Sequence, residues 1–182
     1  LFWEDISKIE DDYCRNGEIK FKMVKMNNEM LKFIISINSY DEESINLKVD
    51  EFSQKVFSTI KLIDDCVVIV DYHNEMKQGV LNYDKILSRY GDYTGYEASC
   101  NELRISDFIE IKNFEEAPFL LRLLNNLKTF LNNRYPQYNF VIIGCIKKSE
   151  IELRFHILRK NEESWLSEDI DEFNEAIIVE IV

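Results

Sequence analysis

PFLLRLLNNLKTFLNNRYPQYNFVIIGCIKKSEIELRFHILR, residues 118–159, decides how this chain folds. Pro118 suits the first position of a helix. Phe119, Leu120, Leu123, Leu124, Leu127, Phe130 and Leu131 then form an apolar face too broad for a helix lying on a surface. The spacing predicts a core helix over 118–133. Tyr135-Pro136 ends it, because the residue before a proline is pushed out of the α region. From there the period changes to two. Asn139 to Ile146 and Glu150 to Arg159, joined by Lys147-Lys148-Ser149, read as an antiparallel hairpin. In its second strand Ile151, Leu153, Phe155 and Ile157 point to the core, while Glu152, Arg154 and His156 point away.

Working outward, Phe2, Trp3, Ile6 and Ile9 suggest a short amphipathic helix over 3–14, stopped by Asn16-Gly17. Alternation from Ile19 and an apolar run from Met30 to Ile37 read as a hairpin at 18–38, with Lys20 and Lys22 lining an exposed edge. Val49, Phe52, Val56, Ile60 and Ile63 share one helical stripe, which gives a helix over 51–64 capped by Asp50. The run CVVIVDY after Asp64-Asp65 reads as a central strand covered on both faces. Asn82 caps a helix through Tyr90 that Gly91 terminates, and residues 103–111 form a further strand. Ser167 starts a brief acidic helix to Phe173, and Ala176 to Val182 is a last strand inside the sheet. The whole reads as one α+β domain over 1–182, with a mostly antiparallel sheet of six to seven strands and packed helices.

A chain of 182 residues and 21.7 kDa can bury a core without metal or disulfide staples. Five Gly and two Pro leave no linker to divide it, and those glycines have neither dinucleotide-fingerprint nor P-loop spacing, which excludes glycine-cradled nucleotide binding. Thirty-four acids against 22 bases give a net charge of −12, which repels a phosphate backbone, so no direct nucleic-acid partner is expected. The excess peaks between Glu162 and Glu175, with seven carboxylates and no base. No apolar run of about 18 residues marks a membrane span. Cys14, Cys66, Cys100 and Cys145 make no C-x-x-C pair, and Cys66 and Cys145 sit in apolar runs as core thiols. The chain begins at Leu1 rather than Met, which leaves an upstream signal and export open beside an expected cytoplasmic location.

Chemistry is thinly signalled. Asp71, His73 and Glu75 would line one strand face and suit a divalent metal, the basis for a metal-assisted hydrolase as one reading. His156 beside Arg154 reads as a half-exposed strand residue. Ser58-Thr59-Ile60-Lys61 matches S-x-x-K without its usual partner motifs. A small-molecule adaptor with a pocket under the long helix is another reading. The richest segment is Arg89-Tyr90-Gly91-Asp92-Tyr93-Thr94-Gly95-Tyr96-Glu97. It packs three of the nine Tyr and two of the five Gly into a stretch of binding-loop composition.

Glu152-Leu153-Arg154-Phe155-His156, Arg159, Glu163-Ser164-Trp165-Leu166-Ser167-Glu168-Asp169 and Phe173-Asn174-Glu175-Ala176 together resemble the end of small acidic immunity proteins. Those proteins are encoded as antidotes beside bacterial polymorphic toxins, and the resemblance covers about a quarter of the chain. It implies a noncatalytic domain, without cofactor or metal, that occludes a cognate toxin domain. The expected partner is basic and nuclease-like, met by carboxylates and aromatic anchors. The residues expected to meet it are Asp92, Tyr93, Tyr96, Trp165, Glu168, Asp169 and Asp171.

Overall fold

A computed structural model describes residues 14–15, 18–19, 23–37, 39–70, 81–112 and 115–182. Of the helix expected at 3–14 only Cys14 falls among them, in strand β1 (Cys14–Arg15), which pairs antiparallel with β2 (Glu18–Ile19). The trio Asp71, His73 and Glu75 lies outside the described residues.

The hairpin expected at 18–38 is corrected in its second half. Met23–Met26 is strand β3, but Asn28–Ile35 is helix α1. Met30 and Ile34, one helical turn apart, are the buried pair, and an unbroken apolar run does not by itself distinguish a helix from a strand. Asn27 starts the helix by accepting from the Met30 N–H at 3.0 Å. It is also fully buried, donating to the Glu175 carbonyl at 2.7 Å and accepting from the Ile177 N–H at 2.9 Å.

Helix α2 spans Glu42–Phe57 and is capped by Asp41, so the helix expected over 51–64 starts earlier and stops sooner. Ile60 and Ile63 extend its stripe in sequence but belong to strand β4 (Ile60–Ile63), because the ends of a four-residue strand fall at the same spacing as a helical turn. Strand β5 (Cys66–Ile69) folds back on β4 across Asp64, whose φ is 49°. The CVVIV run is fully buried as expected, yet it is no central strand: among the described residues β5 pairs only with β4.

Next come helices α3 (Tyr83–Tyr90) and α4 (Tyr93–Cys100) and strand β6 (Leu103–Arg104). The strand expected over 103–111 ends at Arg104, where a 3₁₀ turn over Ile105–Asp107 takes over. Helix α5 spans Glu116–Arg134, followed by the hairpin β7 (Phe140–Lys147) and β8 (Glu150–Ile157) and strand β9 (Ala176–Ile181). Lys148 and Ser149 both have positive φ, the geometry of a type I′ hairpin turn. The brief acidic helix shrinks to a 3₁₀ turn at Ile170–Glu172.

The main sheet is antiparallel throughout, in the order β3-β9-β7-β8-β6, and β4–β5 forms a separate two-stranded sheet. The fold is α+β, as the sequence predicts. One apolar core joins α1, α2 and α5 to the Phe140, Ile142 and Ile146 side of the main sheet. Gly144 sets the fit: a Cβ there would stand 2.9 Å from Leu120 and 3.0 Å from Ile178, so α5 rests on the strands where a side chain is missing.

Candidate binding site around helix α4

The tyrosine-glycine segment is not an irregular loop but a tight corner between two helices. Gly91, at φ 85°, stops α3, and the Asp92 carboxylate accepts from the Gly95 N–H at 2.6 Å to start α4. Gly95 is required as well, because a Cβ would lie 2.5 Å from the Tyr90 carbonyl. Helical spacing then puts Tyr93 and Tyr96, three residues apart, on one face of α4, Tyr96 inside a small second core and Tyr93 at its edge. Tyr93 is half-buried, its ring 5.2 Å from that of Tyr83 and 5.4 Å from the Arg159 guanidinium. Tyr96 is only 8% exposed and packs with Ile63, Val68 and Ile86, its ring edge-on to Tyr90. Tyr96 thus closes that second core, where the sequence leads one to expect a residue that meets a partner.

One turn further on, α4 does what a missing strand would do. The Glu97 carboxylate is wholly buried and accepts from the Val67 N–H of β5 at 2.7 Å and the Ile157 N–H of β8 at 2.8 Å. Asn101 accepts from the Ile69 N–H at 2.9 Å and donates to the Val67 and Phe155 carbonyls at 2.8 and 3.0 Å. Side chains thus satisfy both strand edges that a ladder would otherwise occupy. Arg159 completes the joint, reaching Glu97 at 2.7 Å and the Asp65 carbonyl at 2.7 Å. Burial pushes the Glu97 carboxyl up, while Arg159 and the two N–H groups pull it back. Burial also works against the Arg159 charge, but the Glu97 carboxylate holds that guanidinium above its ordinary value.

The segment after β8 wraps over this joint. Glu162 accepts from the Thr94 N–H at 2.7 Å, placing a negative charge at the N-terminus of α4, and lies 3.8 Å from Arg159. Trp165 is 41% exposed, 5.9 Å from the Arg154 guanidinium. Arg154 is itself tied to the Ala98 carbonyl at 3.2 Å and to Glu102 at 2.8 Å. Asp92, Tyr93 and Trp165 therefore gather around α4. Tyr83, exposed on α3 with its ring against Tyr93, adds to that surface and was missed. Its signal was present in α3, where only Ile86 is buried.

Glu168, Asp169 and Asp171 sit elsewhere, beside α1 and β3. Lys25 donates to the Glu168 carbonyl, Asp171 accepts from the Asn28 N–H at 2.8 Å, and Asp169 accepts from the Asp171 N–H at 3.1 Å. Asp169 thus serves its own turn and Asp171 the start of α1, both while remaining exposed.

Candidate nucleophiles and bases fare differently. His156 is 3% exposed, not half-exposed, because α4 covers that end of β8. Its Nδ1 faces the Ile157 carbonyl at 3.0 Å, its Nε2 is buried with no partner among the described residues, and burial holds its pKa below the ordinary value. Cys66, Cys100 and Cys145 are free; burial pushes the Cys100 and Cys145 thiols up to about 11 and Cys66 higher, so none is a thiolate near neutrality. Ser58 donates to the Lys55 carbonyl at the end of α2, while Lys61 lies on β4. Among the described residues no group of three or more His, Cys, Asp or Glu is placed to hold a metal ion, and no helix is long and apolar enough to cross a membrane.

By sequence the chain belongs to the Uncharacterized protein PM0498 family, whose model matches residues 25–182. No curated protein and no solved structure matches it.

Proposed function

We propose that this chain is an immunity-type protein that binds and neutralises a basic, nuclease-like toxin domain through the surface built on α4. The observation that supports it is the Tyr83–Tyr93 ring pair, Tyr83 exposed and Tyr93 half-buried, together with the exposed Trp165 beside Arg154. The two arginines in this surface do not make it basic. Arg159 is matched by Glu97 and Glu162, and Arg154 by Glu102 and Glu152; Lys85, Arg89 and Lys160 offset Asp84, Asp92 and Glu163, and Asp64 and Asp65 near Tyr93 leave the surroundings acidic. Aromatic anchors in such a setting slow release, and the charge speeds encounter.

The test is co-expression with the toxin domain encoded in the adjacent reading frame. The chain should restore growth and form a one-to-one complex. Tyr93→Ala or Trp165→Ala should speed dissociation at a cost of about 2 kcal/mol or more, the range of a desolvated anchor. Neutralising Glu168, Asp169 and Asp171 together should instead slow association, and added salt should reproduce that change. An adjacent frame without a toxin domain, or a complex indifferent to salt and to every one of these changes, overturns the reading.

A further inference from the structure

The segment that leaves β8 crosses the face of the main sheet turned away from α5. Arg154, Ile143, Val179 and Lys25 stand side by side across β8, β7, β9 and β3 and make one row of that face. The chain follows this row: the Trp165 ring lies 5.9 Å from the Arg154 guanidinium, and Lys25 donates to the Glu168 carbonyl. Just beyond, Asn27 donates to the Ile170 carbonyl at 3.2 Å. Ile143 and Ile177 point out from the same face and are buried all the same, apart from both apolar cores, which makes this strap their cover. Yet from 158 to 169 the strap has no buried side chain of its own, so it is held at points rather than along its length.

His156 stands in the next row of that face, two residues along β8 from Arg154 and opposite Val141 of β7. A neutral ring that donates from Nδ1 to the Ile157 carbonyl leaves Nε2 bare, and Nε2 is buried with no partner among the described residues. A second proton can only go there, where nothing accepts from it. The charged groups around the ring are Asp92 and Glu97 on the α4 side, Arg159 and Glu162 on the strap, and Arg154 on its own strand, while β7 offers only Val141. Asp92 and Glu162 favour a charged ring and Arg159 opposes it, but burial outweighs them. Both carboxylates are also engaged, Asp92 with the Gly95 N–H and Glu162 with the Thr94 N–H, and Glu97 is held by the Val67 and Ile157 N–H groups and Arg159. For the ring to charge, its cover has to yield. Helix α4 is pinned to two strands by Glu97 and Asn101, whereas the strap is tied to α4 by Glu162. We infer that protonation of His156 lifts the strap between Glu162 and Trp165, making this segment an acid-opened cover over the outward face of the sheet. The proton passes from solvent to Nε2, and water admitted under the lifted strap accepts from it. Trp165 rides on the strap, so the surface proposed above comes apart in acid; that consequence rests on the binding reading, and the opening itself does not.

Amide hydrogen exchange of the isotope-labelled full chain, corrected for the intrinsic effect of pH on exchange, tests the opening without any partner. Protection of the Thr94 amide should fall about tenfold between about pH 6.5 and about pH 5.5, the slope of one proton taken up on opening. The Val67 and Ile157 amides, held by Glu97, should keep their protection, and the Trp165 indole resonance should move together with the Thr94 change. His156→Gln should abolish the opening. Glu162→Gln should retain it, because the amide oxygen still accepts from Thr94. In the unaltered chain the loss of Thr94 protection should also track the His156 ring resonances, a readout that needs no variant to fold. Thr94 protection that holds down to about pH 5.5 would overturn the inference. So would Val67 and Ile157 amides that fail together with Thr94, or an opening lost in Glu162→Gln and kept in His156→Gln. A strap that stays shut in acid would refute the cover and leave the toxin reading standing, whereas an opening in a chain that binds no basic protein would support the cover and refute only that reading.

Discussion

Helices α5 and α4 both hold the main sheet, by opposite means. Helix α5 lays Phe119, Leu120, Leu123, Leu124, Leu127 and Leu131 on the strands, all of them buried and without direction in their attraction. Helix α4 instead aims Glu97 and Asn101 at five backbone groups of β5 and β8. An apolar joint asks only for volume in the right place. A polar joint asks for a particular atom at each end of each bond, and an unmet one costs more than a made one contributes.

The largest effect should come from the polar joint. Glu97→Ala leaves Arg159 unpaired at its buried end and two strand N–H groups unmet, and should cost about 3–5 kcal/mol in denaturant unfolding. Leu127→Ala, at the centre of α5, should cost about 2–5 kcal/mol by cavity formation. Shape-preserving changes sharpen the contrast. Leu127→Met should cost less than about 1.5 kcal/mol, because volume is kept. Glu97→Gln keeps volume too, yet turns one acceptor into a donor facing an N–H and removes the counter-charge of Arg159, so it should cost more than Leu127→Met. Equal losses for these two conservative changes would erase the distinction between the joints.

The smallest effect concerns His156, beside the polar joint. Its native pKa is lowered, so below the unfolded value of about 6.5 the unfolded chain binds more protons than the native one. Stability from this group is therefore present above about pH 7 and falls as pH drops through about 6.5. Replacing His156 with Gln should flatten the melting temperature between about pH 7 and pH 5.5, a window above the ordinary carboxylate range. An unchanged slope would assign the pH response to another group.

What could be read in advance follows the same division. The α5 stripe, the β7–β8 hairpin, the Asn82 and Gly91 ends of α3 and the inward last strand were all legible, because each rests on a period or a cap that acts locally. Residues 28–35 were misread because six apolar or mixed positions in a row carry no period of two, and the deciding group, Asn27, is fixed by carbonyls almost 150 positions away in the chain. Of the candidate surface, Asp92 and Tyr93 drew notice by the composition of residues 89–97 and Trp165 by the resemblance. Glu97 and Asn101 were not legible as bridges, since nothing local distinguishes a carboxylate that will bridge two strands from one that will face water.

The bridge made by α4 also bears on how this chain can drift. A ladder of backbone bonds passes unchanged through almost any replacement, because every residue but proline carries the same donor and acceptor. A bridge of side chains is inherited only with its letters. In this chain an exchange of Ile, Val and Leu within β7 to β9 keeps the apolar joint, whereas a change at Glu97 alone leaves Arg159 without its buried partner.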